Sequence, residues 1–280
     1  MNAKIVKFEE YLLYLRQFFS KHPNMEMKES GMNVKAINSG ANMKAINSGA
    51  KRSRLLFVLA ALMVCLRMTA TEVSQTEHLT IYYPNFRSID LALGKMPDTN
   101  DSKVVFCCEA AFTGQRLASF AHSNVADNHV SGGKWYQGYN CRANTGAFVW
   151  YHDKWAFMEK KKFLAEKPKC QMAFCQYLII LQGKQTPMWE RMRKNKTRYR
   201  ALCEKDGRLC LIESKKVVTL EFFIKCLMES HVTNAIYLDM GAGWNYAWYR
   251  DAKGNPHEIF PDSKKAPDYR YRTNWVTFYQ

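Results

Sequence analysis

Residues Tyr237–Asn245 read Y-L-D-M-G-A-G-W-N and hold the most suggestive chemistry in the chain. The run Ala235–Leu238 is apolar and short, as expected of a buried strand. Asp239 then stands at its end, where a strand holds a carboxylate rigidly. Gly241 and Gly243 follow, and glycines let backbone amides approach a ligand closely. The alternative is a tight turn capped by its own Asp. A second polar knot lies upstream, with His122, Ser123 and Asn124 followed by Asp127, Asn128 and His129. Two histidines seven apart in a loop could touch a ligand or form a polar surface. No third ligand at a defined spacing supports a metal, so none is expected. No cofactor is expected either.

These residues need a scaffold. Arg198–Cys203 and Arg208–Glu213 flank Lys205-Asp206-Gly207, and Asp-Gly is a strong hairpin turn. Thr219 is placed to cap a helix, whose apolar stripe is Leu220, Phe223, Ile224, Leu227 and Met228. Val104–Cys108 reads as a short buried strand ending at Glu109-Ala110-Ala111-Phe112. Ala147–Tyr151 and Trp155–Met158 read as a hairpin, and Met172–Leu181 as one long central strand. Residues 72–100 offer one strand-like run, Leu79–Tyr83. Residues 113–146 read as loop, and Lys160-Lys161-Lys162 as a solvated turn. The expectation is an α+β fold, a single domain over residues 72–280 with a mixed, mostly antiparallel sheet flanked by helices.

The first seventy residues read differently. Leu55–Leu66 is twelve apolar residues preceded by Lys51, Arg52 and Arg54. A basic cluster before an apolar block of that length is a secretory signal pattern, here residues 51–70. It is too short for a typical spanning helix. Residues 33–41 (NVKAINSGA) and 42–50 (NMKAINSGA) are near-copies. Residues 1–50 are read as an N-terminal extension, and translation from Met43 would give a conventional signal and leave residues 1–42 of it untranslated. The competing reading keeps an amphipathic helix over residues 4–20 and makes the apolar block an uncleaved anchor. Either way the domain is expected to be exported, in the bacterial periplasm or on the cell surface, with the membrane involved only through this segment.

The whole chain carries +16 at neutral pH, from 41 basic and 25 acidic residues. Without residues 1–70 the count is 30 basic and 21 acidic, or +9. No long basic run interleaved with aromatics remains, so nucleic acid is not an expected partner. Nine cysteines are present, with no C-x-x-C pair, so zinc and thioredoxin chemistry lack support. One or two disulfides at most are expected.

Residues 198–245 resemble the C-terminal half of the phosphodiester glycosidase family. That family shows R-T-A-x-G, a hairpin with D-G, T-x-x-E on a helix, and N-L-D-G-G-G-S-S. This chain shows Arg198-Tyr199-Arg200-Ala201-Leu202-Cys203, Asp206-Gly207, Thr219-Leu220-Glu221-Phe222, and Ala235-Ile236-Tyr237-Leu238-Asp239-Met240-Gly241-Ala242-Gly243, in the same order. The family's upstream N-G-G-F-F is met by Cys108-Glu109-Ala110-Ala111-Phe112. Met240 replaces a motif glycine, Trp244-Asn245 replace the serine pair, and Glu109 stands where the family has Asn.

The resemblance implies hydrolysis of a glycosyl phosphodiester or related glycoside through an oxocarbenium-like state. Asp239 would be nucleophile or base, Glu109 the second carboxylate, and Arg200 the phosphate clamp, with Arg198 beside it. Gly241, Gly243, Trp244, Asn245, His122, Asn124 and Asn274 would line the substrate. Trp244, Tyr246 and Trp248 offer aromatic faces of the kind that stack on sugars. The partner would be a carbohydrate or sugar phosphate. The alternative is a non-catalytic glycan- or phosphosugar-binding protein on the same scaffold.

Overall fold

The hairpin at Asp206-Gly207 is the simplest element to derive. Both residues take positive φ, 52° and 68°, the geometry of a two-residue turn matched to strand twist. Arg200–Lys205 and Arg208–Ser214 therefore pair antiparallel with Cys203 opposite Cys210. In this computed structural model, the described residues are 70–114, 119–188, 195–240, 245–265 and 274–280. The extension 1–50, all but the last residue of the signal segment 51–70, and Gly241, Gly243 and Trp244 lie outside them.

The hairpin is the heart of a seven-stranded sheet. Val232–Tyr237 pairs with Arg200–Lys205, and Leu79–Pro84 with Arg208–Ser214. Thr71–Gln75 and the hairpin Leu178–Leu181/Lys184–Gln185 complete the edges. Alternation divides the faces. Ala201 and Cys203 point to a helix, α2 (Leu220–Glu229), while Leu202 points to the other side.

The α2 helix starts where expected. The Thr219 side chain accepts the Phe222 amide at 3.2 Å, replacing a bond the first turn cannot make internally. Leu220, Phe223, Ile224 and Leu227 are buried on the sheet, each worth roughly 1.5–3 kcal/mol of burial. Met228, expected in the stripe, is 40% exposed.

A five-stranded sheet faces the other side. Its order is Pro256–Ile259, Ala247–Arg250, Val104–Glu109, Asn274–Tyr279 and Ser88–Leu93. A third sheet comprises Lys134–Tyr136, His129–Ser131, Met172–Gln176, Gly146–Trp150 and Trp155–Glu159. One core cluster draws on all three sheets, including Leu202, Ile236, Phe106, Phe278, Phe148 and Phe174. The helix α1 (Lys160–Glu166) inserts Phe163 into a smaller cluster against the third sheet.

The expected helix-flanked α+β domain is overturned: the fold is mostly β. Only two short α-helices occur among the described residues, and the main core is sheet against sheet. The expected mixture of strand directions also fails. Every pairing between named strands among the described residues is antiparallel, both in the hairpins and between strands distant in sequence. Strands were missed where they are short and polar-flanked: Thr71–Gln75, Ser88–Leu93, His129–Ser131 and Lys134–Tyr136.

The single strand expected over Met172–Leu181 is two strands in two sheets. Tyr177 marks the handover, and its amide is satisfied by the Gln176 side chain at 2.9 Å. The eight cysteines from Cys107 onward are all free thiols. Among the described residues, no helix is long and apolar enough to cross a membrane.

Candidate active site

Four chain segments converge on Ala110 and Ala111, just past the end of the Val104–Glu109 strand. The Asp239 amide donates to the Ala110 carbonyl at 3.1 Å, and Gln176 Nε2 reaches the same oxygen at 3.4 Å. The Asn274 carboxamide then acts as a short piece of strand. Its Oδ1 accepts the Ala111 amide at 2.7 Å, and its Nδ2 donates to the Ala111 carbonyl at 3.0 Å. Both alanines are fully buried, so methyl-sized side chains are what the junction holds.

Asp239 sits here with 6% exposure. Two phenols feel its charge. Burial, then Asp239, pushes Tyr237 well above the usual phenol range, and Tyr139 is raised by burial, Cys141 and Asp239. Both stay protonated at neutral pH and can donate. Tyr237 already uses its oxygen to accept the Met240 amide at 3.1 Å. Tyr139 lies over Gly114, where a Cβ would come within 3.0 Å of the ring, and Asn124 Oδ1 is 3.3 Å from the same point. Asn124 is 2% exposed, and neither polar atom of its carboxamide has a hydrogen-bond partner.

Arg200 is fully buried. Its Nε donates to Glu213 Oε2 at 2.7 Å, and Nη2 lies 2.6 Å from the same oxygen. Nη2 also donates to the Asn245 carbonyl at 2.8 Å. Burial opposes its charge, and Glu213 together with Cys108 and Tyr82 more than offsets that, so its pKa is raised. Nη1 has no hydrogen-bond partner. The guanidinium expected to clamp phosphate thus already has an internal carboxylate. Arg198 is placed elsewhere, with its guanidinium 4.3 Å over the Phe260 ring.

Glu109 is buried but does not share the Arg200 face. The Cys108 side chain belongs to the core between the sheets and feels the Arg200 charge there. Glu109, the next residue, pairs directly with Trp275, whose side chain belongs with Cys107, Tyr246 and Trp248 on the opposite face. Tyr246 and Trp248 are themselves 2% and 1% exposed. The Tyr246 hydroxyl donates to Glu258, and Trp248 Nε1 to the Pro97 carbonyl. They are core residues rather than open sugar platforms.

The histidine knot is a stack. His122 lies flat on Tyr136, with centroids 3.5 Å apart, and its Nδ1 is 3.1 Å from His129 Nε2. His129 Nδ1 bonds in turn to the Asp127 carbonyl at 3.2 Å. Burial lowers the pKa of both rings, that of His129 to about 4. No group of three or more metal-ligating side chains occurs among the described residues.

Sequence reasoning missed a buried charge cluster next to this knot. Asp127 accepts from Asn144 Nδ2 at 2.8 Å, from Lys160 Nζ at 3.2 and 3.3 Å, and from the Cys141 amide at 3.2 Å. Lys160 is therefore an internal partner and not part of a solvated turn. The available signal was Asp127-Asn128, a pair that tolerates the left-handed backbone Asp127 adopts at φ 58°. Tyr139 and Gln176 carried no comparable signal.

No protein-family model and no curated protein matches the chain. Among solved structures, it is similar to a hypothetical protein from Synechocystis, with TM-score 0.54 and 10% identity over 75% of this chain and 61% of that one. It also overlaps the zebrafish N-acetylglucosamine-1-phosphodiester alpha-N-acetylglucosaminidase catalytic domain auto-inhibited by pro-peptide, with TM-score 0.48 and 14% identity over 75% of this chain and 81% of that one. The first of these likenesses is one of fold.

Proposed function

We propose that the protein is an exported hydrolase that cleaves a glycosyl phosphodiester or related glycoside, with Asp239 as its reacting carboxylate. The observation that carries this reading is Asp239 itself, a buried strand-end carboxylate beside a glycine motif and two protonated phenols. Phosphate is a weak base, so its departure needs less help from an acid than an alcohol's. One carboxylate to attack the anomeric carbon or activate water then suffices, and in this reading the Tyr139 hydroxyl, kept protonated by burial, would donate toward the leaving oxygen. Glu109, facing the other side of its sheet, is not required in this scheme.

A second reading is a non-catalytic binder of phosphosugars or glycans. It is favoured by Arg200, whose charge is taken up by Glu213. Sugar release from a panel of glycosyl phosphodiesters and nitrophenyl glycosides separates the two. Turnover by the wild-type chain that is lost in Asp239→Asn is the expected result. Saturable sugar binding without turnover would sink the hydrolase and establish the binder.

A further inference from the structure

A cleft of about 650 Å³ opens at one end of the third sheet. Three turns meet there, bringing Trp135, Tyr151, His152, Asp153, Lys169 and Gln171 together. We propose that this cleft is a saccharide-binding site, separate from Asp239.

The floor of the cleft is rigid. The Gly133 amide donates to the Gln171 carbonyl at 2.8 Å, and the Gln171 amide to the Trp150 carbonyl at 3.0 Å. The Gln171 side chain is tied to His152 Nε2 at 2.9 Å. Gly132 and Gly133 both take positive φ, and a Cβ would not touch the neighbouring chain at Gly132. Trp135 supplies a fixed wall. One face of its indole stacks on Phe163 with centroids 4.9 Å apart, which leaves the other face for the cleft. Tyr151 adds a second aromatic surface.

The rim decides the ligand class. Asp153 and Lys169 bring opposite charges, and Gln171 and His152 bring groups that donate and accept. Burial raises the Cys170 thiol to about 11, so it is a neutral neighbour and not a nucleophile. A strongly anionic or cationic ligand meets one favourable and one unfavourable charge here. A sugar ring meets what it needs: an aromatic face for its C–H side, and mixed donors and acceptors for its hydroxyls.

The site does not depend on the hydrolase reading, and it is tested by binding alone. Cellohexaose, chitohexaose, maltohexaose and xylohexaose are titrated calorimetrically into the full chain and into Trp135→Ala, Lys169→Ala and Asp239→Asn. At least one should bind, with affinity reduced about tenfold by Trp135→Ala and about fivefold by Lys169→Ala. Lys169 is exposed, so its variant keeps the test valid if loss of the Trp135 stack disturbs folding. Asp239→Asn should bind like wild type. No binding by any of the four sugars overturns the proposal, as does binding unchanged in Lys169→Ala or abolished by Asp239→Asn.

Discussion

The backbone of Asp239 is bonded to Ala110 at 3.1 Å, so residues just past the ends of two strands from two different sheets are stitched together where the candidate chemistry sits. The junction is therefore as stable as its supports, and the supports can be removed singly.

Asn274 is the support most open to test. Asn274→Ala leaves the buried Ala111 amide and carbonyl without their side-chain partner. It should cost about 2–3 kcal/mol in urea unfolding. Any turnover should fall with it, because Asp239 is held through the neighbouring Ala110.

Arg200 and Glu213 make a buried pair, and breaking it from one side strands the other charge. Arg200→Met should destabilise by about 3–5 kcal/mol. Replacing both, as Arg200→Met with Glu213→Leu, should recover most of that loss. Equal unfolding midpoints for the single and double variants would contradict the pairing as a stability determinant.

Gly138 lies where the chain has no room for a side chain. A Cβ there would stand 2.0 Å from the Val125 carbonyl oxygen and 2.1 Å from that of Asp127. Both neighbours are backbone, so neither can swing away. Gly138→Ala should abolish the cooperative unfolding transition or lower its midpoint severely, whereas Gly183→Ala, with open space but positive φ, should cost far less.

His129 gives the fold a pH dependence of known sign. Its pKa is near 4 in the folded chain and about 6.5 when unfolded, because burial disfavours the charged ring. Between those values the unfolded chain binds a proton and the folded chain does not. Stability is complete above pH ~6.5 and is lost as pH falls through about 4, by about 3 kcal/mol in all. His122 moves in the same direction. The difference between wild type and His129→Gln, measured as unfolding free energy at pH 7 and pH 4.5, should shrink at the lower pH.

What was legible in the sequence was local. Asp206-Gly207 announced its hairpin because both residues suit positive φ, and Thr219 announced its helix because its hydroxyl caps it. Asp239 was found because a polar residue ended an apolar run. Pairing across long separations left no such trace. Nothing near Gln176 signals that the next residue changes sheet. Glu109 was read as a partner for Asp239 from its place in a motif, but the period of two along a strand sends it to the face opposite Cys108. Lys160 looked solvated in a run of three lysines, and its partner Asp127 is thirty-three residues away.

The Asn274–Tyr279 strand lies between Val104–Glu109 and Ser88–Leu93, two of the earlier strands of the chain. A growing polypeptide must therefore hold those two apart, each with a bare edge, until residue 279 has left the ribosome. The sheet is completed from the inside, by a central strand that comes later in the chain than both of its neighbours. During synthesis the exposed edges are templates for unwanted pairing, and a chain lacking residues 274–279 would keep them.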